Sequence, residues 1–192
     1  MLVLVRHGQS LYNKAGMFTG TVDSKLSMLG VEQAESAGLL LKAKGLRFNI
    51  AYSSHLSRAF DTAQLILEQT FSVCEIIEDK RLAERDYGEW SGKKKQDLFL
   101  EHGEKMFKLY RRSYNTAPPG AESLHDVVER VKRWLPQLKK HTGKNVLVVS
   151  HGNTMRALSV AFGFHDEKTV EGYEIETGQP ILLEWTNLEK HF

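Results

Sequence analysis

Two short stretches of the chain end in the same way. LVLVRHGQS (residues 2–10) and VLVVSHGNT (146–154) each run four apolar residues into one polar residue and then into His-Gly. Imidazole can serve as a nucleophile or as a proton carrier, so the place to which these runs deliver His7 and His151 matters. In open α/β sheets ligands collect outside the carboxyl ends of strands, where neighbouring strands send their connections to opposite faces. If the two runs are adjacent strands, the histidines meet there beside Arg6. Gly8 and Gly152 allow close backbone approach, and a helix opening beyond either loop aims amide N–H groups at an anion. Either copy alone is also what an ordinary polar turn after a strand looks like. The pair, with its adjoining arginine, points to a site.

Three further groups bear on the same chemistry. Arg58, in SSHLSRAFDTAQ, falls near the start of a helix, where a cation opposes the helix dipole unless an anion lies between them; the alternative is a solvated side chain. Glu84, in ERDYG, follows the next strand. Spacing alone favours a salt-bridge partner for the arginines, and the other reading is a general acid or base facing histidine. Lys93 and Lys94 read as the wet face of a helix. The Arg111-Arg112 pair could bind carboxylate or phosphate through planar guanidinium forks. Together these residues describe phosphoryl transfer: a neutral imidazole attacks phosphorus, arginines neutralise the equatorial oxygens, and a carboxyl group handles the proton. No metal is required. The remaining histidines (55, 102, 125, 141, 165 and 191) are not paired with an acid or a second histidine at ligand spacing.

The elements that must position these groups alternate. Leu2–Val5, Phe48–Ser53, Val73–Ile77 and Asn145–Ser150 read as buried strands, and Ile181–Trp185 as a last edge strand. Between them, Ser27 caps a helix that runs to Gly45, and Ser54 offers a cap for the helix HLSRAFDTAQLILEQ. LAERDYGEWSG reads as a loop, and Lys94 to about Arg112 as a polar helix. Pro118-Pro119-Gly120 is a break, followed by one helix from Glu122 or Ser123 through Lys140. A further helix is expected beyond Asn153. The pattern predicts an α/β fold: a three-layer sandwich whose mainly parallel central sheet is flanked by helices. It is expected to be one domain over residues 1–192, with a helical insert at about 84–122.

The 192 residues are 41% apolar and 26% charged, with a net charge of +2. That balance gives no reason to expect a nucleic-acid partner. No apolar run has the length of a membrane span, and the start of the chain resembles no signal peptide. The single cysteine, Cys74, suits a reducing compartment. The expectation is a cytoplasmic protein with a small-molecule substrate; a homo-oligomer is left open.

RHGQSLYN, FTGTVDSKLSMLG, the SSHLSRA arginine, ERDYGEWSG, HGE…RRSY…PPGAESL, SHGNTMRAL and ETGQP, in this order over nearly the whole chain, resemble the histidine phosphatase superfamily. More narrowly they resemble its 2,3-bisphosphoglycerate-dependent phosphoglycerate mutases, in a short form. RHG carries only the superfamily; FTG, ERDYG, Lys95, RRSY and ETGQP carry the narrower likeness. It implies His7 as the phosphohistidine nucleophile and Glu84 as proton donor and acceptor, with Arg6, Arg58 and His151 holding the phosphoryl group. It implies Ser10, Asn13, Thr19, Gly20, Arg85, Tyr87, Lys95, Arg111, Arg112, Gly152 and Asn153 around the substrate. The implied reaction interconverts 2- and 3-phosphoglycerate, as in glycolysis and gluconeogenesis, primed by 2,3-bisphosphoglycerate and with no metal. The sequence departs from the family pattern at Gln9, where glutamate is common, and at Thr21, where an aromatic often follows FTG. It has a short connection between Pro118 and Glu122, and it ends at Phe192, soon after ETGQPILLEW. The last of these implies easier access of water to the site. The alternative is accordingly a histidine-type acid phosphatase of the same superfamily that hydrolyses small phosphomonoesters; Lys95, Arg111 and Arg112 distinguish the two. A non-catalytic phospho-ligand module would not need His7, His151 and Glu84 together.

Overall fold

The structure, a computed structural model, describes residues 1–188. His191 and the chain end discussed above lie outside the described residues. Five strands form one sheet in the order β3-β2-β4-β1-β5, with β1 at Leu2–Arg6, β2 at Ile50–Ser53, β3 at Ile76–Glu78, β4 at Val146–Ser150 and β5 at Pro180–Leu183. Strands β1 to β4 run parallel, and β5 is antiparallel to β1. The helices are α1 (Leu11–Lys14), α2 (Met28–Ala43), α3 (Ser57–Gln69), α4 (Lys95–Arg112), α5 (Leu124–Lys132), α6 (Leu135–Lys139) and α7 (Gly152–Ala161).

Period-two alternation splits the sheet between two cores. Val3, Val5, Ala51, Leu147 and Val149 pack with Ala37 and Leu41 of α2 and Ala59, Ala63 and Ile66 of α3. Leu2, Leu4, Tyr52, Val146 and Val148 pack with α5, α6 and α7, around Val127, Val131, Trp134, Leu138 and Leu158. With both faces covered, the strands must be apolar throughout, which is why they read as unbroken runs. A third, smaller cluster of Phe18, Tyr87, Trp90, Leu98 and Phe107 joins α4 to the loops near residues 18 and 87.

This layering creates the switch point. β1 and β4 are adjacent and in register, from Leu2↔Val146 to Arg6↔Ser150. The chain leaves β1 for α2 on one face and leaves β4 for α7 on the other. The two His-Gly dipeptides therefore open side by side at the crevice.

Several elements differ from the sequence reading. The third strand starts at Ile76, opposite Ala51, and not at Val73; Val73 is fully exposed. The second strand starts at Ile50, because the Phe48 and Asn49 amides donate to Ser72 Oγ and the Asn145 carbonyl. The helix expected to run through Lys140 is two, α5 and α6. Pro136 has no N–H with which to continue the ladder, and Trp134 is fully buried at the break. Gly103, at φ 72°, interrupts α4. Ser54 caps nothing: α3 begins at Ser57, and its N-cap, Leu56, makes no side-chain cap bond. The loop around Glu84 is flanked by short 3₁₀ turns at Lys80–Leu82 and Gly88–Trp90, and Trp185 opens another such turn beyond β5. Among the described residues no helix is long and apolar enough to cross a membrane.

Candidate active site

β1 ends in Arg6, and the His7 amide extends the ladder by donating to the Ser150 carbonyl at 2.9 Å. The imidazole is buried, and its Nδ1 lies 2.6 Å from the Gly8 carbonyl oxygen. A carbonyl only accepts, so Nδ1 carries the proton and Nε2 keeps its lone pair for a reacting atom. The Gly8 amide donates to Thr62 Oγ1, whose hydroxyl donates to the Arg58 carbonyl. A Cβ on Gly8 would stand 2.1 Å from the Gly30 carbonyl oxygen at the start of α2. The close approach that holds this loop requires glycine.

His151, fully buried, is the N-cap residue of α7. Its ring lies 4.9 Å from that of His7, inclined at 59°. Nε2 is 2.6 Å from Ser54 Oγ, while Nδ1 has no partner. Burial, followed by Arg58 and Arg6, holds the His7 pKa well below the usual 6.5. Burial, then Arg58, His7 and Arg6, does the same to His151. Both rings are neutral at pH 7, the form a nucleophilic imidazole needs.

Arg58 is fully buried on the first turn of α3, which rules out the solvated reading. Its Nη1 and Nη2 donate to the Val22 and Gly20 carbonyls at 3.0 and 2.9 Å. Burial pulls its pKa down to about 10, against the upward pull of Glu84 and Asp23. Arg6 Nη1 donates to the Ile175 carbonyl at 2.6 Å. Arg6 Nε, Arg58 Nε and His151 Nδ1 are all buried without a partner among the described residues. Buried polar atoms near a cleft are rarely left unsatisfied without a ligand to complete them.

Glu84 is in an ion pair with no described residue, so the salt-bridge reading is not what the structure holds. Its Oε1 accepts the backbone amides of Arg85 and Asn153 at 2.8 and 3.1 Å. A Cβ built on Gly152, at the N-terminus of α7, would lie 3.8 Å from Oε2 and 3.6 Å from Arg6 Cζ, so both groups reach that helix end.

One cavity brings together Arg6, His7, Arg58, Glu84, Gly152 and Asn153 with Asn13, Thr19, Gly20, Tyr87, Lys95, Arg111 and Arg112. Asn153 Nδ2 donates to the Tyr87 hydroxyl at 3.0 Å. Lys95 and Arg111 have lowered pKa values, first through burial and then through their cationic neighbours. Lys93 and Lys94 are exposed. His151 does not line the cavity but touches His7 from within the fold.

Two expected substrate residues stand elsewhere. Ser10 is buried, closing the capping box of α1 with Asn13. Arg85 is fully buried, and its guanidinium donates to the carbonyls of Glu122, Tyr110 and Thr116. Its side chain ties loops together, and its backbone amide holds Glu84.

The cavity also has residues that the sequence reading did not single out, among them Met17, Phe18, Arg156, Glu174 and Ile175. Arg156 sits three residues after Asn153 on α7, the spacing of one helix face, so it could have been found. Nothing in YEIETG marks Glu174. Ser54 and Thr62 complete the support of the histidine loops.

The profile of the histidine phosphatase superfamily (branch 1) matches residues 2–191. A protein of Parvibaculum lavamentivorans named 2,3-bisphosphoglycerate-dependent phosphoglycerate mutase is 45% identical over 190 residues, 96% of this chain and 90% of its own. One of the same name from a Chelativorans species is 47% identical over 188 residues, 94% of this chain and 90% of that one. Among solved structures, a mycobacterial glucosyl-3-phosphoglycerate phosphatase in complex with VO3 superposes with a TM-score of 0.81 at 29% identity, covering 93% of this chain and 88% of that one. The chain belongs to the histidine phosphatase superfamily and, within it, to the family of the 2,3-bisphosphoglycerate-dependent phosphoglycerate mutases.

Proposed function

We propose that the protein interconverts 2- and 3-phosphoglycerate through a phosphohistidine on His7. The observation that carries this reading is that one cavity gathers more cations than a single phosphate needs. Arg6 and Arg58 stand beside His7, and Lys95, Arg111 and Arg112 line the same cavity. A substrate with one phosphate needs the first set; a substrate that also bears a carboxylate or a second phosphate uses both. In this reading the segment at 84–122 acts as an insert that brings the second set over the sheet.

The chemistry divides among the chain's own groups. His7 Nε2 forms the bond to phosphorus as the bond to the departing oxygen breaks. Glu84, as the acid, gives that oxygen its proton. When the phosphoryl group moves off His7, Glu84 as carboxylate takes the proton from the incoming hydroxyl. Arg6, Arg58 and the amides opening α7 hold the equatorial oxygens, and His151 backs the His7 ring from within the fold.

The cavity also suits 2,3-bisphosphoglycerate, since Arg6 Nε, Arg58 Nε, Thr19 Oγ1 and Arg112 Nη1, all of residues that line it, are buried polar atoms without partners among the described residues. When bound, that cofactor supplies the phosphoryl group that primes His7. Cys74 is a free thiol, in keeping with a cytoplasmic setting.

A coupled assay on 3-phosphoglycerate in EDTA, with and without 2,3-bisphosphoglycerate and alongside phosphate release, tests the proposal. Interconversion stimulated by the bisphosphate, outpacing free phosphate, is expected. Phosphate release without interconversion would instead make this chain a phosphatase, the activity in the name of its mycobacterial structural neighbour.

A further inference from the structure

Glu174 is the feature of the cavity that the proposed chemistry leaves unused. It stands on the segment after α7 that fastens three of the site's arginines. The Ile175 carbonyl takes Arg6 Nη1 and the Tyr173 carbonyl takes Arg156 Nε, both at 2.6 Å. Between them, the Glu174 carboxylate bridges two guanidinium groups: Oε1 accepts from Arg112 Nη2, and Oε2 accepts from Arg156 Nη2 at 3.1 Å. The arginines are mostly buried, with side chains 20% and 10% exposed, while the Glu174 side chain is 63% exposed. A carboxylate at the solvent side of a buried arginine pair has the chemistry of a ligand, supplied by the protein itself. Arg112 still has Nη1 buried without a partner among the described residues, so the pair is not saturated.

We infer that Glu174 is a specificity-determining residue that works by exchange: it occupies the Arg112–Arg156 pair when the cavity is empty and yields it to the second anionic group of the substrate. This rests on the reading of the cavity as a site for ligands with two anionic groups. A fixed pair of bare arginines would hold such ligands tightly and release them slowly. An internal carboxylate weakens the bound state by one competing contact and is ready to replace the product as it leaves. It also tempers the discrimination that the arginines make between ligands. A monophosphate without a second anion gains nothing at this pair, because it cannot offer the arginines a replacement for Glu174.

The test is titration calorimetry of the full chain and its Glu174→Gln and Glu174→Ala variants with 3-phosphoglycerate and with glycerol 3-phosphate, which has the phosphate but no carboxylate. Removing the charge while keeping the shape should tighten 3-phosphoglycerate roughly tenfold, as expected for one like charge near a partly solvated bound anion. Glycerol 3-phosphate should change less than about twofold, being out of reach of that charge in a screened site. Turnover of Glu174→Gln should show a lowered KM with kcat lowered alongside it, the signature of slower release.

Weaker binding of 3-phosphoglycerate in both variants, more so in Glu174→Ala, would overturn the inference and leave Glu174 as a positioning residue for Arg112. Unchanged binding, or equal tightening of both ligands, would also overturn it. Equal affinity of the unsubstituted protein for the two ligands, with tightening of 3-phosphoglycerate in Glu174→Gln, would instead support exchange while removing phosphoglycerate as the substrate.

Discussion

The imidazoles of His7 and His151 lie 4.9 Å apart, each fixed by one ring nitrogen: His7 Nδ1 to the Gly8 carbonyl, His151 Nε2 to Ser54 Oγ. That asymmetry fits the proposed division of roles. His7 is fixed as the tautomer with a free Nε2 lone pair, and it lines the cavity. Labelled 2,3-bisphosphoglycerate should therefore leave an acid-labile, base-stable adduct on the peptide containing His7, and none on a His7→Ala protein. Label on His151 would reverse the roles.

Glu84 is held by two backbone amides, so its position does not depend on its charge. Glu84→Gln should keep the position and lose the proton, slowing the chemical step by roughly 10²–10⁴-fold while substrate affinity changes little. Stopped-flow transfer from the phosphoenzyme reads this directly. Near-normal transfer would remove Glu84 from proton handling.

Because both histidines are buried with lowered pKa values, pH should act on stability with a definite sign. Below 6.5, the ordinary histidine value, the unfolded chain takes up protons at these residues that the native chain refuses. The unfolded state then binds more protons, so stability falls as pH falls through this window. Urea midpoints should drop between pH 7 and about 5, and a His7→Gln/His151→Asn double variant should show a shallower drop, since the proton difference at these sites is gone. Equal slopes would mean that the rings are protonated in the native state.

Gly8 is tested by adding one methyl group. Gly8→Ala puts a Cβ 2.1 Å from the Gly30 carbonyl oxygen, a backbone atom that cannot rotate away. It should cost about 1–3 kcal/mol in a urea titration, as overpacking does, and reduce labelling of His7. Gly172→Ala, with nothing within 4 Å of its Cβ, is the matched control and should be near neutral.

The parts of this arrangement legible in the sequence are those set by local pattern. The apolar runs before each His-Gly, the Ser27 cap and the Gly45 stop are short-range signals, and the switch point follows from two strands leaving for opposite faces. What was illegible depends on partners far away in the chain. Val73 looks like strand but has no neighbour, since pairing with β2 begins only at Ile76. Ser54 looks like a cap because its true partner, His151, is 97 residues away. Arg85 matches a binding motif, yet it is committed to the carbonyls of Tyr110, Thr116 and Glu122, 25 to 37 residues away. Glu174 gave no signal because its meaning comes from Arg112 and Arg156, on two different helices. The Trp134 break was readable from Pro136, which the apolar periodicity of the segment masked.

The position of β1 in the sheet has a consequence for biosynthesis. Its two neighbours are β4 and β5, so a ribosome that has just made LVLVR must add more than a hundred residues before either edge of that strand can pair. Until β4 emerges, the nascent chain carries an apolar strand with both edges open, a ready template for association with other chains. Closing so distant a contact is also intrinsically slow. With His7 as the proposed nucleophile, that residue acquires a working environment only when residue 151 arrives. A chain cut short before β4 is thus no partly active enzyme; it is a client for chaperones and proteases.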